Sequence, residues 1–521
     1  MSYNYSQIDN DNLNWFQLDD SKASLLTIKL YVGHVRSLYN FELNFKYPIS
    51  VIAGKNGSGK STILALAACA FHNFKDGFKL PGRKNTYYTF SNFFIQSKEE
   101  IPPEGIKIKY QILHNNWRKT EKIPDGKGAG WQIRKKNIGG KWNKYSTRLK
   151  RNVVFFGIDR VVPHSEKSVS KSYRLHFKEC LKFGWEEEVK NLVGKILNRN
   201  YEDFWYKKHT KYRLPMVKIG GNIYSGFNMG AGENALFEIF STIFSCPPGV
   251  LLVIDEIELG LHEEAQTIFI EELKKLCKKR QIQIICTTHS FNILKNVPPE
   301  ARFFLESFEK KTIITPDISP SFAASKMSGE NSNELDIFIE DSIAKYLLES
   351  GISNKTRVRT NIIPIGSSSA IARQLAARYK NIKKGECIAI FDGDKSSEIE
   401  NIIGVFLKTL ESVKDQDVAK TWIRDRISFL PGDKWPENWI LSQIKNNEKS
   451  ELIQNLSVDE HELIQFIDEA IISDKHNEFY TLSNKMKLDP DFISRIFSNH
   501  ASNLNKDIFI DIEDFINIYL E

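Results

Sequence analysis

The run Gly54-Lys55-Asn56-Gly57-Ser58-Gly59-Lys60-Ser61 places glycines, a lysine and a hydroxyl where a polyphosphate needs them. Glycine lets backbone N–H groups curl around phosphate oxygens, and a helix beginning at the lysine adds a favourable dipole. In that arrangement Gly54, Asn56, Gly57 and Gly59 shape the loop, and Lys60 reaches the β- and γ-phosphates. Ser61 holds Mg²⁺, with Thr62 beside it in the first helical turn. Further on, Val250-Leu251-Leu252-Val253-Ile254 ends in Asp255-Glu256. An acid pair closing a core strand is costly unless it meets a cation. Asp255 is therefore assigned to Mg²⁺, and Glu256 to activating water beside the γ-phosphate. Thr287-Thr288-His289-Ser290 ends the next apolar run and supplies a histidine that could sense the same phosphate.

Acids of another kind occupy the second half. Asp336-Ile337-Phe338-Ile339-Glu340 ends in a carboxylate, and Cys387-Ile388-Ala389-Ile390-Phe391 leads into Asp392-Gly393-Asp394. Parallel strands ending in acids at one sheet edge gather them into a single site. Close carboxylates repel unless a metal lies between them, and hard oxygen donors select Mg²⁺ or Mn²⁺. A pair of such ions can activate water and stabilise the leaving oxygen in phosphodiester cleavage.

The elements that must position these residues follow from patterning. The chain has 521 residues, 41% apolar and 26% charged, which fits a globular protein of several domains. No apolar run approaches the roughly 18–20 residues of a membrane span. The polar N-terminus resembles no signal peptide, and six scattered cysteines form no Cys-x-x-Cys pair. A cytoplasmic protein with reduced thiols and no membrane partner is the expectation. Residues 1–24 read as a polar arm, and 25–315 as an alternating β/α domain implying a mixed or parallel sheet. Within it, a β-rich insert spans about 105–151 and a helical segment about 172–210. A linker is expected over 316–333, a second α/β domain over 334–445, and a helical region over 446–521. Between Lys107 and Arg151 lie fourteen Lys or Arg and only Glu121 and Asp125 as acids. That insert suits a polyanion such as DNA, or is a solvated surface. Trp117, Trp131 and Trp142 interleave with its cations and either stack on bases or pack in hairpins.

The order of the nucleotide motifs resembles an ABC-type ATPase, and Asn56 points to the SMC-like branch that acts on DNA. Asn228-Met229-Gly230-Ala231-Gly232-Glu233 resembles that family's signature loop. The resemblance implies that Gly230, Gly232 and Glu233 cap ATP bound by another subunit, in a homodimer or higher homo-oligomer formed through the ATPase domain. Gly230 replaces the usual serine, which removes one donor to the γ-phosphate and argues against fast hydrolysis. Gln96 is the candidate for contacting Mg²⁺ and attacking water.

The Glu340…Asp392-x-Asp394 layout looks like a Toprim domain. An ABC ATPase followed by Toprim is the arrangement of the OLD (overcoming lysogenization defect) endonucleases, a resemblance spanning about residues 25–490. It implies metal-dependent DNA cleavage regulated by ATP, as in anti-phage effectors, some encoded with a retron reverse transcriptase and its msDNA. Glu437 matches a further family acid, and Lys475 lies where the family places a catalytic lysine. Ala344 and Trp439 stand where relatives carry acids. Asp341 either replaces a missing ligand or caps the following helix, and Ser367, Ser368 and Ser369 approach the metal or cap theirs. The alternative to an endonuclease is an ATP-dependent DNA-binding or sensing subunit whose Toprim domain no longer cuts.

Overall fold

The computed structural model describes residues 3–520 apart from 96, 101–103, 138–141, 143–146, 168–170, 211, 329–333, 381–385 and 411–414. Two compact units result, Tyr3–Glu330 and Asn331–Glu521, the latter grouped with the first two residues.

The first unit is built on a six-stranded sheet in the order Lys311–Pro316, Arg302–Phe308, Ile49–Ala53, Gln283–Thr287, Leu251–Ile254, Val153–Phe156. All neighbours pair in parallel except the first two, which form an antiparallel edge. The central strands are apolar at nearly every position because both faces are covered. Val51, Leu252 and Ile254 pack on the helices Glu186–Leu197, Ala231–Ser245 and Glu263–Arg280. Ile52, Leu251 and Val253 point the other way, onto the helix Lys60–Ala68 and an antiparallel sheet. That sheet has the order Phe41–Asn44, Ser24–Val32, Ile106–His114, Gly128–Lys136. A second antiparallel sheet comprises Asn222–Ser225, Tyr212–Ile219, Asp203–His209 and Lys178–Glu179.

Several expectations are corrected here. The N-terminal stretch is no arm. Ser6 and Asp9 form a capping box for the helix Gln7–Leu18. Phe16 is fully buried, and Asp9 pairs with Lys274 at 2.8 Å. Residues 172–210 are not one helical segment: the helix Glu186–Leu197 lies between two strands, and Phe204 and Tyr206 alternate inward as sheet residues do. The expected linker carries the helix Pro320–Ser328, with Phe322 and Ala323 buried, while 329–333 fall outside the described residues.

The basic insert is a hairpin with Ile106 opposite Lys136 and His114 opposite Gly128. Part of its charge is structural. Arg134 and Arg148 are buried and donate to the carbonyls of Ala70 (3.1 Å) and Cys69 (2.5 Å), just past the helix Lys60–Ala68. Cations there satisfy open carbonyls and complement the helix dipole. Arg151 likewise joins the carbonyls of Ala23 and Gly249 to Gln283 Oε1. Trp117 donates to Gly128 O, Trp142 stacks on Phe90, and Trp131 is exposed.

The second unit holds a parallel sheet in the order Thr360–Pro364, Leu335–Ile339, Glu386–Phe391, Ile427–Phe429. Ile337, Ile339, Ile388 and Ile390 face the helices Ser342–Gly351 and Pro436–Asn446 and the helical region reaching Tyr519. Phe338, Cys387, Ala389 and Phe391 face Ser368–Lys380, Ile399–Leu410 and Gln416–Arg424. The chain is thus α/β in both units, with a helical C-terminal region. Among the described residues no helix is long and apolar enough to cross a membrane.

Candidate functional site

In the first unit, parallel pairing brings the ends of Ile49–Ala53, Gln283–Thr287 and Leu251–Ile254 to one edge, so loops far apart in sequence meet. A cavity of about 300 Å³ there is lined by Asn56, Gly57, Gly59, Lys60, Ser61, Thr62, Asp255, Glu256 and His289, with Arg36 and Ser37 added from the turn after Ser24–Val32. The loop needs its glycines for two reasons. Gly57 and Gly59 have φ of +80° and +100°, and a Cβ on Gly54 would stand 2.4 Å from Leu305 O.

Ser61 Oγ donates to Asp255 Oδ2 at 3.0 Å, and Thr287 Oγ1 donates to Asp255 Oδ1 at 2.6 Å. Thr287 Oγ1 in turn accepts from Glu256 N. Glu256 has φ +47°, a left-handed conformation that side chains seldom adopt. Arg160, buried, stabilises that turn by donating to the carbonyls of both Asp255 and Glu256. Glu258 accepts from Thr288 Oγ1 and His289 N, which fixes the histidine loop. Lys60 Nζ donates to Gly54 O (2.7 Å) and Lys55 O (3.1 Å). Burial pulls its pKa down, and Asp255, Glu256 and Glu258 oppose that shift. Arg36 and Arg160 were not singled out in the sequence. Gln96 lies outside the described residues.

Gly230 is exposed and caps the helix Ala231–Ser245. A Cβ there would meet nothing within 4 Å, so crowding does not explain the missing serine. Gly232 and Glu233 make contacts within the chain. Glu233 is buried, and its carboxylate accepts from Tyr201 and Tyr224 hydroxyls at 2.6 and 2.7 Å. Gly232 packs on backbone: an added Cβ would fall 2.0 Å from Gly260 O. Gly232→Ala is therefore expected to force these two loops apart and lower stability by about 1–3 kcal/mol. A drop in the thermal midpoint checks this, and an unchanged melt would refute it.

In the second unit, Glu340 follows the strand Leu335–Ile339 and Asp392 follows the adjacent Glu386–Phe391. Asp394 sits in the next turn, and Glu437 in the first turn of Pro436–Asn446. Glu340 Oε1, Asp392 Oδ1, Asp394 Oδ1 and Glu437 Oε2 are each buried without a hydrogen-bond partner. Burial raises the carboxyl pKa of Glu340 and Glu437. Asp392 is pushed up to about 8 by burial and then by Glu340, Asp341, Asp394 and Glu437.

Native interiors seldom leave such acceptors unsatisfied, so the set fits a hard divalent cation. Lys475 Nζ lies 3.0 Å from Asp394 Oδ2, joining Lys475 to the group. His476, which the sequence reading missed, approaches Glu437 Oε1 at 3.0 Å through Nδ1. One ligand atom each from Asp341, Glu437 and His476 lies within 4.8 Å of the others. Asp341 also caps the helix Ser342–Gly351, accepting from Ile343 N and Ala344 N at 2.9 Å. Ser367 caps the helix Ser368–Lys380 through Ala370 N. Ala344 and Trp439 are core residues, Trp439 lying against Gly432.

Residues 29–202 match the family described as "AAA domain". Residues 220–295 match "AAA domain, putative AbiEii toxin, Type IV TA system". Over these two stretches the first unit is similar to AAA-type ATPase domains. No curated protein sequence matches the chain. Among solved structures, the SMC head domain from Thermotoga maritima is 13% identical, covering 56% of this chain and 98% of its own at a TM-score of 0.31. The SMC head with an extended coiled coil, bound to the C-terminal domain of ScpA from Pyrococcus furiosus, is 15% identical, covering 56% and 95% at 0.32. The C-terminal region of the Xanthomonas campestris pv. campestris OLD protein is 8% identical, covering 36% and 95% at 0.24.

Proposed function

We propose that this chain is an ATP-regulated, divalent-metal-dependent DNA endonuclease of the OLD type, acting in anti-phage defence. The observation that carries the reading is the group of four partnerless carboxylate oxygens on Glu340, Asp392, Asp394 and Glu437. A divalent cation held there supplies Lewis-acid stabilisation of phosphate charge and lowers the pKa of bound water. Glu340, Asp392 and Asp394 would be its ligands, the charge of Asp394 favouring protonation of Glu340 and the charges of both favouring protonation of Asp392. Asp341 and Glu437, with His476, offer further ligand atoms. Lys475 holds its charge beside Asp394, where a scissile phosphate would gain a cation. In the first unit, Lys60, Ser61, Asp255, Glu256 and His289 serve ATP. The exposed Gly230 loop completes the site of a second copy, so ATP drives homodimer or higher homo-oligomer assembly. With no serine at position 230, ATP works as a switch more than as a fuel. A retron reverse transcriptase with its msDNA is the defence partner this reading accommodates.

Because Ala344 and Trp439 are packed in the core, a non-cleaving DNA-sensing subunit is the second reading. Supercoiled plasmid incubated with the protein and Mg²⁺ or Mn²⁺, with and without ATP, separates the two. Nicking that disappears in Asp392→Ala supports the endonuclease. Intact plasmid under every condition supports the sensor, and nicking that persists in Asp392→Ala refutes the site.

A further inference from the structure

We propose that a cavity in the first unit, separate from the phosphate loop, is a second nucleotide-binding site that reports to the first. It has a volume of about 380 Å³, within the ~300–1,000 Å³ of small-molecule pockets. It shares no lining residue with the phosphate-loop cavity. Its walls supply three kinds of contact.

The first is flat and aromatic. Tyr88, Phe93 and Phe155 line it, with the Tyr88 and Phe93 rings stacked at 5.7 Å between centroids. The Arg83 guanidinium lies 3.7 Å over Tyr88. Tyr88 is itself buried, so the flat faces on offer are those of the half-buried Phe93 and Phe155 and of the Arg83 guanidinium. These accept a planar heterocycle and have little to offer a sugar phosphate or an aliphatic acid.

The second is a pair of acceptors on one face of the helix Ala231–Ser245, at Asn234 and, one turn on, Glu238. Asn234 is buried, with Nδ2 donating to Gly226 O and Met229 O, and its Oδ1 has no partner. Burial raises the Glu238 carboxyl pKa, opposed by Lys167 and Arg160. A base bearing an exocyclic amino group would donate to Glu238, one turn beyond Asn234.

The third is cationic. Arg83, Lys167 and Arg213 stand in the walls, outnumbering the acids Asp159 and Glu238. They match a phosphate tail. A stacked ring, donor-bearing edge and anionic tail together describe a nucleoside phosphate, either free or as an unpaired nucleotide in a strand.

The cavity reaches the ATP site through short covalent paths. Gly157 and Asp159 line it, and the next residue, Arg160, holds the carbonyls of Asp255 and Glu256. Asn234, also in the lining, donates to Met229 O, one residue before Gly230. An occupant would brace both the acid pair and the loop offered to a second copy.

The test uses the full chain carrying Lys60→Ala, titrated calorimetrically without divalent cation, so that neither ATP binding nor nuclease activity is required. The titrants are AMP, GMP, CMP, UMP, ribose 5-phosphate and a short single-stranded oligonucleotide. One-to-one binding of an amino-bearing monophosphate is expected, weakened about tenfold or more by Arg213→Ala and by Glu238→Leu. Ribose 5-phosphate should not bind. Oligonucleotide binding alone, with the same loss in both variants, assigns the site to a nucleotide within a strand. In otherwise unaltered protein, the bound monophosphate should change ATP turnover. No binding by any nucleotide, or binding that neither variant weakens, overturns the proposal.

Discussion

Asp392→Asn is expected to raise the thermal midpoint of the metal-free protein at pH 8 while removing its divalent-cation binding. Asp392 is 3% exposed and one of its oxygens has no donor. Burial and neighbouring carboxylates push its pKa up to about 8, against about 3.9 in an unfolded chain. Between these values the folded protein retains a proton that the unfolded chain releases. Stability therefore falls as pH rises through that window, and the penalty is complete above it. Asparagine keeps the shape and removes the charge, so the variant should melt several degrees higher at pH 8 and about level with the parent near pH 4.

Metal affinity runs the other way. The ligand form of Asp392 is the carboxylate, so Mn²⁺ binding should strengthen between pH 6 and pH 8.5 and release a proton. Calorimetry with EDTA-treated protein in buffers of different ionisation enthalpy measures both effects. An Asp392→Asn variant that melts lower at pH 8, or that binds Mn²⁺ like its parent, would sink the assignment. The expected exchange of stability for function is characteristic of a site built to hold charge.

What could be read from the sequence was local. Gly54–Ser61 declares its chemistry in consecutive residues, and Asp255, Glu340 and Asp392 each close an apolar run. Their convergence follows once the runs pair in parallel. What could not be read depends on distant packing. Arg160 looks like any surface arginine until the fold sets it under the carbonyls of Asp255 and Glu256. His476 meets Glu437 across 39 positions, with no local pattern to mark it. The bonds of Glu233 to Tyr201 and Tyr224 were equally hidden, because a motif assigns a residue type without saying which way its side chain turns. Arg134, Arg148 and Arg151 of the basic insert hold buried carbonyls, which charge counting cannot distinguish from exposed cations. The helix Gln7–Leu18 was legible in part. Its Ser6–Asp9 capping box stands in the sequence, but few apolar residues mark the buried stripe.

Lys60→Ala should abolish most of the ATP affinity, and the loss should depend on phosphate number. In the structure the Lys60 ammonium bridges the carbonyls of Gly54 and Lys55 beneath the loop, close to the edge formed by Ser61 and Asp255. A terminal phosphate competes well with two neutral carbonyls for a partly desolvated cation, because charge-assisted hydrogen bonds are the stronger kind. Removing one is worth roughly 1.5–3 kcal/mol, or about 10- to 150-fold in affinity. The β- and γ-phosphates should feel this most, so ATP and ADP should lose affinity while AMP binding changes little. Lys60→Arg keeps the charge but not its point geometry and should fall between. The ATP-induced rise in melting temperature, which measures ligand concentration over Kd, should shrink with affinity. Loss of the carbonyl bridge could also loosen the loop, so the apo melting temperature is compared alongside; a local effect leaves it within a few degrees. Equal losses for AMP and ATP would mean a damaged fold in place of a lost phosphate contact. Undiminished ATP affinity would remove nucleotide binding at this loop from the account altogether.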